Sequence, residues 1–173
     1  MQSLQARKSS RDFSKKKLTV EVLSNLLWAA CGINRPESGR LTAPSAVNWR
    51  EIDVYVALAD GLYLYNAKEQ VLKPVIKQDI RELTGKQPFV KEAPVNLIYV
   101  ADYSRMGGAS AEDRNFYSVA DTSFIAQNVY LYCASEGLAT VVRGSIDRDA
   151  LAKAMQLRAN QKVVLAQTVG YPE

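Results

Sequence analysis

The 173-residue chain contains no histidine. That removes His-based catalytic triads, histidine metal ligands and the side chain that most often acts as a general base near neutral pH. Cysteine is nearly as scarce. Cys31 and Cys133 lie far apart, each in an apolar helical stretch, and read as buried free thiols. Two thiols fall short of a cysteine zinc site, so no metal is expected. There is no GxGxxG turn and no Walker loop, so dinucleotide-fold and P-loop readings lose their main support. No apolar run approaches the ~18 residues of a membrane span, and no charged-then-apolar leader follows Met1. The expectation is a cytoplasmic protein with no membrane partner. The net charge of +4 is too small and too diffuse for a nucleic-acid binder. The chemistry left to the chain must use carboxylates, Ser, Tyr, Lys or Arg, or a borrowed cofactor.

What is present suits one globular domain spanning residues 1–173. Apolar residues make up 47% and charged residues 23%, enough to close a core without staples. Ser3–Ser9 reads as a short helix. A second helix starts after Thr19, carries Val20, Leu23, Leu27 and Ala30 at helical spacing, and ends at Gly32 in a left-handed cap. Asn34–Ala43 reads as a loop. Ile52–Leu58 and Leu62–Tyr65 form a hairpin across Asp60-Gly61. Val71–Val75 reads as a short extended piece, Ile76–Leu83 as a helix, and Val95–Val100 as a central strand. Asn115–Glu136 is the longest predicted helix, apolar nearly all round, which places it at the centre of a subunit interface. Leu138–Val142 is a strand. Asp147 caps a helix through Leu157, and Lys162–Val169 is the last strand. The fold class is α+β, a mostly antiparallel sheet of four or five strands flanked by helices.

Two stretches carry candidate chemistry. Arg7-Lys8-Ser9-Ser10-Arg11-Asp12-Phe13 packs three cations and two hydroxyls into five residues, the donors that grip an anionic group. Taken alone, such a cluster near a terminus reads more often as a solvated tail. Ala43-Pro44-Ser45-Ala46-Val47-Asn48-Trp49 offers small residues, a rigid proline and an amide suited to a planar heterocycle. Alone, it reads as a turn before a strand.

The order of the pieces decides between these readings. Arg7-Lys8-Ser9-Ser10-Arg11 is followed by Leu26-Leu27-Trp28-Ala29-Ala30-Cys31-Gly32-Ile33, then by Arg40 and Ala43-Pro44-Ser45-Ala46. The long helix then carries Ala126-Gln127-Asn128. Gly137-Leu138-Ala139-Thr140 and a terminal Val169-Gly170-Tyr171-Pro172 complete the set. Along nearly its full length the chain resembles the nitroreductase family of FMN-dependent oxidoreductases, and in its motifs the SagB-type, azoline-dehydrogenase-like branch.

The resemblance implies FMN bound at the interface of a homodimer, NADH or NADPH as electron donor and a small organic acceptor. It implies that Arg7 pairs with the FMN phosphate, that Lys8 and Ser9 assist it, and that Arg11 approaches the pyrimidine side of the flavin. Pro44, Ser45, Ala46 and Asn48 match a loop that comes from the other subunit. Val142, Arg143 and Gly144 match a strand end whose backbone lies against the flavin ring. The Arg143 side chain, unusual there, is expected to face either substrate or phosphate. No catalytic side chain is implied, because flavin N5 carries the reaction. Two alternatives stay open: a flavin-dependent dehydrogenase with Tyr103 or Tyr117 as base, and a non-catalytic FMN-binding protein. Lys73, Lys77 and Arg81 are candidates for a mid-chain flavin contact that no motif singles out.

Overall fold

In a computed structural model, which describes residues 1–173, one six-stranded sheet organises the chain. Its strands are β3 (Ile52–Leu58), β4 (Gly61–Asn66), β5 (Val71–Ile76), β6 (Val95–Asp102), β7 (Ala139–Arg143) and β8 (Gln161–Gly170). They lie in the order β5-β4-β3-β6-β8-β7, and every neighbouring pair is antiparallel. A separate ribbon pairs β1 (Ile33–Arg35) with β2 (Arg40–Leu41) inside the stretch expected to be a loop. The sheet thus has one strand more than the largest number expected. The added strand is an edge: β5 extends the expected piece through Ile76.

Alternation along the strands divides two cores between the faces. Val54, Val56, Leu97 and Tyr99 face Leu26, Leu27 and Ala30 of α2 (Val20–Cys31) and Ile125, Ala126 and Val129 of α3 (Ala111–Ser135). Their neighbours Tyr55, Ala57, Ile98 and Val100 face Leu151 of α4 (Arg148–Ala154), with Ile80 and Met155. β6 is buried along all eight residues, as its apolar run predicts. The hairpin forms at Asp60-Gly61, where Leu58 pairs with Gly61.

Several local expectations are corrected. Gly32 ends α2 in an extended conformation (φ −71°, ψ 163°) rather than a left-handed one. Glycine is needed there because a Cβ would lie 2.4 Å from Trp28 Cδ1. Residues Ile76–Leu83 form no α-helix. The Asp79 carboxylate accepts from the Arg81 N–H at 3.0 Å, a local bond that competes with helix formation, and only a 3-10 turn follows at Arg81–Thr84. α3 begins before Asn115, at Ala111, held by a capping box between Ser110 and Asp113. α1 is confined to Gln2–Ala6, and α4 stops at Ala154.

α3 is not buried on every side within the chain. Its inner face buries Ser118, Asp121, Thr122, Ile125, Ala126, Val129, Tyr130 and Cys133. Phe116, Val119 and Phe124 stand exposed on the outer face. No helix is long and apolar enough to cross a membrane.

Candidate active site

The opening segment is not a frayed tail. Phe13 is buried against Phe89, with ring centroids 5.3 Å apart, and packs with Ala93, Ala139 and Val141. Ser10 N–H donates to Thr140 O at 2.9 Å, and Ser14 N–H to Tyr171 O at 3.0 Å. The segment is therefore pinned to β7, the edge strand, at Thr140 and to the residue after β8 at Tyr171, and offers its polar side chains from a fixed backbone.

Tyr130 of α3 joins this segment to the sheet. Its hydroxyl accepts from the Val142 N–H at 3.0 Å and shares a 2.9 Å hydrogen bond with Ser9 Oγ. The Arg7 guanidinium lies 5.3 Å from its ring centroid, a cation–π distance. Arg7 and Ser9 from the opening segment and Val142, far from them in sequence, thus meet at one buried phenol. Sequence reasoning missed Tyr130 because a tyrosine in an apolar helical stripe reads as core. Beside it opens a cleft of about 440 Å³ lined by Lys8, Ser10, Tyr130, Ala139, Thr140 and Pro172. Arg7, Lys8 and Arg11 form no ion pair with any carboxylate. Three unpaired cations at one edge give a local positive potential suited to a phosphate.

Arg143 does not face this cleft. Its side chain, 4% exposed, turns into the interior. Nε donates to Thr168 Oγ1 at 3.0 Å, Nη1 to Thr84 O at 2.7 Å, and Nη2 to Asn96 Oδ1 at 3.0 Å. A Cβ on Gly85 would lie 1.9 Å from Arg143 Nη1, so glycine leaves room for the guanidinium to pass. Burial without an acidic partner pushes the Arg143 pKa down to about 10, and the group stays charged at neutral pH. The expectation that this side chain meets substrate or phosphate is therefore wrong. Of Val142–Gly144, the Val142 N–H is the group tied to this side, through its bond to the Tyr130 hydroxyl.

The Pro44–Asn48 loop stands elsewhere. Ala46 N–H donates to Asp121 Oδ2 at 2.8 Å, and Asp121 lies nine residues before Tyr130 on α3. At ~1.5 Å rise per residue the two groups are roughly 13 Å apart along the helix. Val47, Asn48 and Arg50 all hold positive φ (51°, 60° and 51°), which costs about 1 kcal/mol or more at Val47 and Arg50 and less at Asn48, since asparagine tolerates this region. Next to the loop is a hollow of about 260 Å³ lined by Arg35, Arg40, Pro44, Ser45, Asn48 and Arg50. One chain thus presents two separate hollows, one at each end of the Asp121–Tyr130 stretch of α3.

The remaining candidates are engaged otherwise. Lys73 pairs with Glu69 at 3.0 Å and Arg81 with Asp79 at 2.7 Å. Lys73 lies on β5, at the opposite sheet edge from β7, about 24 Å away at five strand spacings, and Lys77 follows directly after that strand. Tyr103 OH donates to Asn115 Oδ1 at 2.9 Å, and the Tyr117 ring sits edge-on to Trp49. Burial pushes both thiols, Cys31 and Cys133, up to about 12, which makes them inert at neutral pH.

Comparison with known proteins agrees with this architecture. Residues 4–171 match the sequence model of the nitroreductase family. A protein of Methanocaldococcus jannaschii, provisionally named a nitroreductase, is 34% identical over 150 residues, covering 80% of this chain and 75% of its own. The crystal structure of a Ralstonia eutropha JMP134 protein with the same provisional name is 43% identical. It has a TM-score of 0.95 over 99% of this chain and 82% of the other. A chain of the Escherichia coli microcin synthetase McbBCD complex shares the fold at 21% identity, with a TM-score of 0.84 over 96% of this chain and 69% of its own. Matched over nearly its whole length, this chain belongs to the nitroreductase family.

Proposed function

We propose that the protein is an FMN-dependent oxidoreductase. It takes reducing equivalents from NADH or NADPH and delivers them, in a ping-pong cycle, to nitroaromatic- or quinone-like acceptors. The observation that carries this reading is the meeting of Arg7, Ser9 and the Val142 backbone at Tyr130, with Lys8 and Arg11 as two further cations and none of the three paired with an acid. That donor set fits a phosphate and a polyol chain. FMN, when bound, supplies hydride chemistry at its N5 atom.

The chain's own residues bind and tune. Arg7 holds the phosphate, with Lys8 and Ser9 beside it, and Tyr130 fixes where Ser9 and the β7 edge stand. Arg11 places a positive charge on the pyrimidine side, which favours the form carrying more negative charge. Val142, Arg143 and Gly144 contribute backbone groups only. Pro44, Ser45, Ala46 and Asn48 act on the site of a second protomer. The roughly 13 Å gap between the two hollows and the exposed Phe116, Val119 and Phe124 on α3 support a homodimer.

Anaerobic titration of the FMN-reconstituted protein tests the reading. NADH or NADPH is expected to bleach the flavin band, and a quinone to restore it. Arg7→Ala is expected to weaken FMN binding tenfold or more, about 1.4 kcal/mol. A change within twofold would remove Arg7 from the phosphate site.

A further inference from the structure

Glu51 stands between the strained loop and β3. It is fully buried, and neither carboxylate oxygen has a hydrogen-bond donor. Two side chains act on it: the Asp121 carboxylate of α3, 3% exposed, and the Ser45 hydroxyl. The nearby charged groups are committed elsewhere. Arg50 donates to Asn48 Oδ1 and Arg105 to Asp53. Asp102 on β6 is held by Ser104, Asn160 and Arg158. Arg114, two turns before Asp121 on α3, pairs with neither acid.

Two buried carboxylates in contact cannot both be ionised, and the stable state holds one proton between them. Asp121 Oδ2 already has a donor in the Ala46 N–H, whereas neither Glu51 oxygen has one. The proton therefore rests on Glu51, whose O–H then has an acceptor in Asp121.

We infer that Glu51 and Asp121 share one proton that latches the Pro44–Asn48 loop to α3 in its strained shape, making both acids positioning residues for that loop. Loss of the proton to solvent sets two negative charges against each other in a water-poor site. Separating them breaks the Ala46 bond and lets Val47, Asn48 and Arg50 leave the left-handed region. Burial, and then the Asp121 charge, push Glu51 up to about 7, so release falls in the neutral range. The latch itself does not depend on flavin. Its effect on cofactor binding rests on the proposed function.

Trp49, which follows the loop directly, reports on the latch. In a Trp28→Phe background it is the single tryptophan. Its emission is expected to change in one transition near neutral pH, within a scan from about 5 to 9 that stays below tyrosine ionisation. Glu51→Gln keeps an N–H donor toward Asp121 and is expected to abolish the transition. Asp121→Asn removes the neighbouring charge and is expected to move it down by about one pH unit or more. A wild-type scan without a transition, or one that persists in Glu51→Gln, overturns the latch. FMN affinity is expected to fall about fivefold across the same range in the wild type and to stay flat in Glu51→Gln. Flat affinity beside a Trp49 transition overturns the link to the cofactor. If FMN fails to bind at any pH while the transition behaves as stated, the latch stands and the cofactor assignment falls.

Discussion

Arg143 and Glu51 are both buried ionisable residues without a partner of opposite sign, and the chain handles them differently. A guanidinium carries five N–H donors, and neutral acceptors can meet them. Thr168, Thr84 and Asn96 do so, and Asn96 is held in turn by its own bond to Val90 O at 2.6 Å. A carboxylate needs donors, and the group facing Glu51 is another carboxylate. Burial disfavours charge in both, bringing Arg143 down to about 10 and Glu51 up to about 7. Arg143 therefore stays ionised in neutral solution, whereas Glu51 titrates in the neutral range. A buried cation dressed by neutral acceptors is a fixed strut; a buried acid facing an acid is a titrating joint.

The strut breaks first. Arg143→Met strands Thr84 O in the core, takes one of two donors from Asn96 Oδ1, which keeps the Thr168 hydroxyl, and is expected to cost about 3 kcal/mol in urea unfolding. Gly85→Ala, which intrudes on the guanidinium, is expected to cost about 2 kcal/mol alone and under ~0.5 in the Arg143→Met background, a coupling that a double-mutant cycle measures. The joint responds to pH instead. Glu51 has an unfolded pKa of ~4.3 and a raised folded value, so its proton contributes fully below about 4.3. That contribution is lost as pH rises through about 7. Glu51→Gln carries no such term. Relative to the wild type it is expected to be near neutral in stability at pH 5 and about 2 kcal/mol more stable at pH 8, by denaturation at both. The smallest effect belongs to Tyr130→Phe. It removes the partner of Ser9 and of the Val142 N–H, for about 1 kcal/mol of stability. FMN titration checks the accompanying loss of cofactor affinity.

Much of this frame was legible in the sequence. Asp60-Gly61 between two β-branched and aromatic runs gave the hairpin, and the unbroken Val95–Val100 run gave the central strand. Those signals are local: turn chemistry and burial on both faces are written in neighbouring residues. The misplaced pieces fail for local reasons too. Asp79 diverts a helical pattern into a turn, and the capping pair Ser110 and Asp113 starts α3 four residues early. The candidate site was legible only through the order of its motifs. Tyr130, Arg143 and Glu51 take their roles from what they face across the fold. Glu51 follows an arginine and precedes a strand, and nothing near it in sequence says that it will meet Asp121. Arg143 ends a strand beside a cleft, and only the gap over Gly85 turns it inward.

The two outer strands of the sheet are defended by different means. β5 carries Lys73 and Pro74, a charge and a residue with no N–H to offer a stranger's strand. β7 has no proline, and its one charge, Arg143, is turned into the core; its cover is the opening segment, fastened by Ser10 and Phe13. Shortening the chain from its start would therefore do more than remove the basic cluster. It would uncover the backbone of β7 as a template for other chains, so an N-terminal truncation past Phe13 is a route to aggregation as well as to loss of the proposed phosphate site.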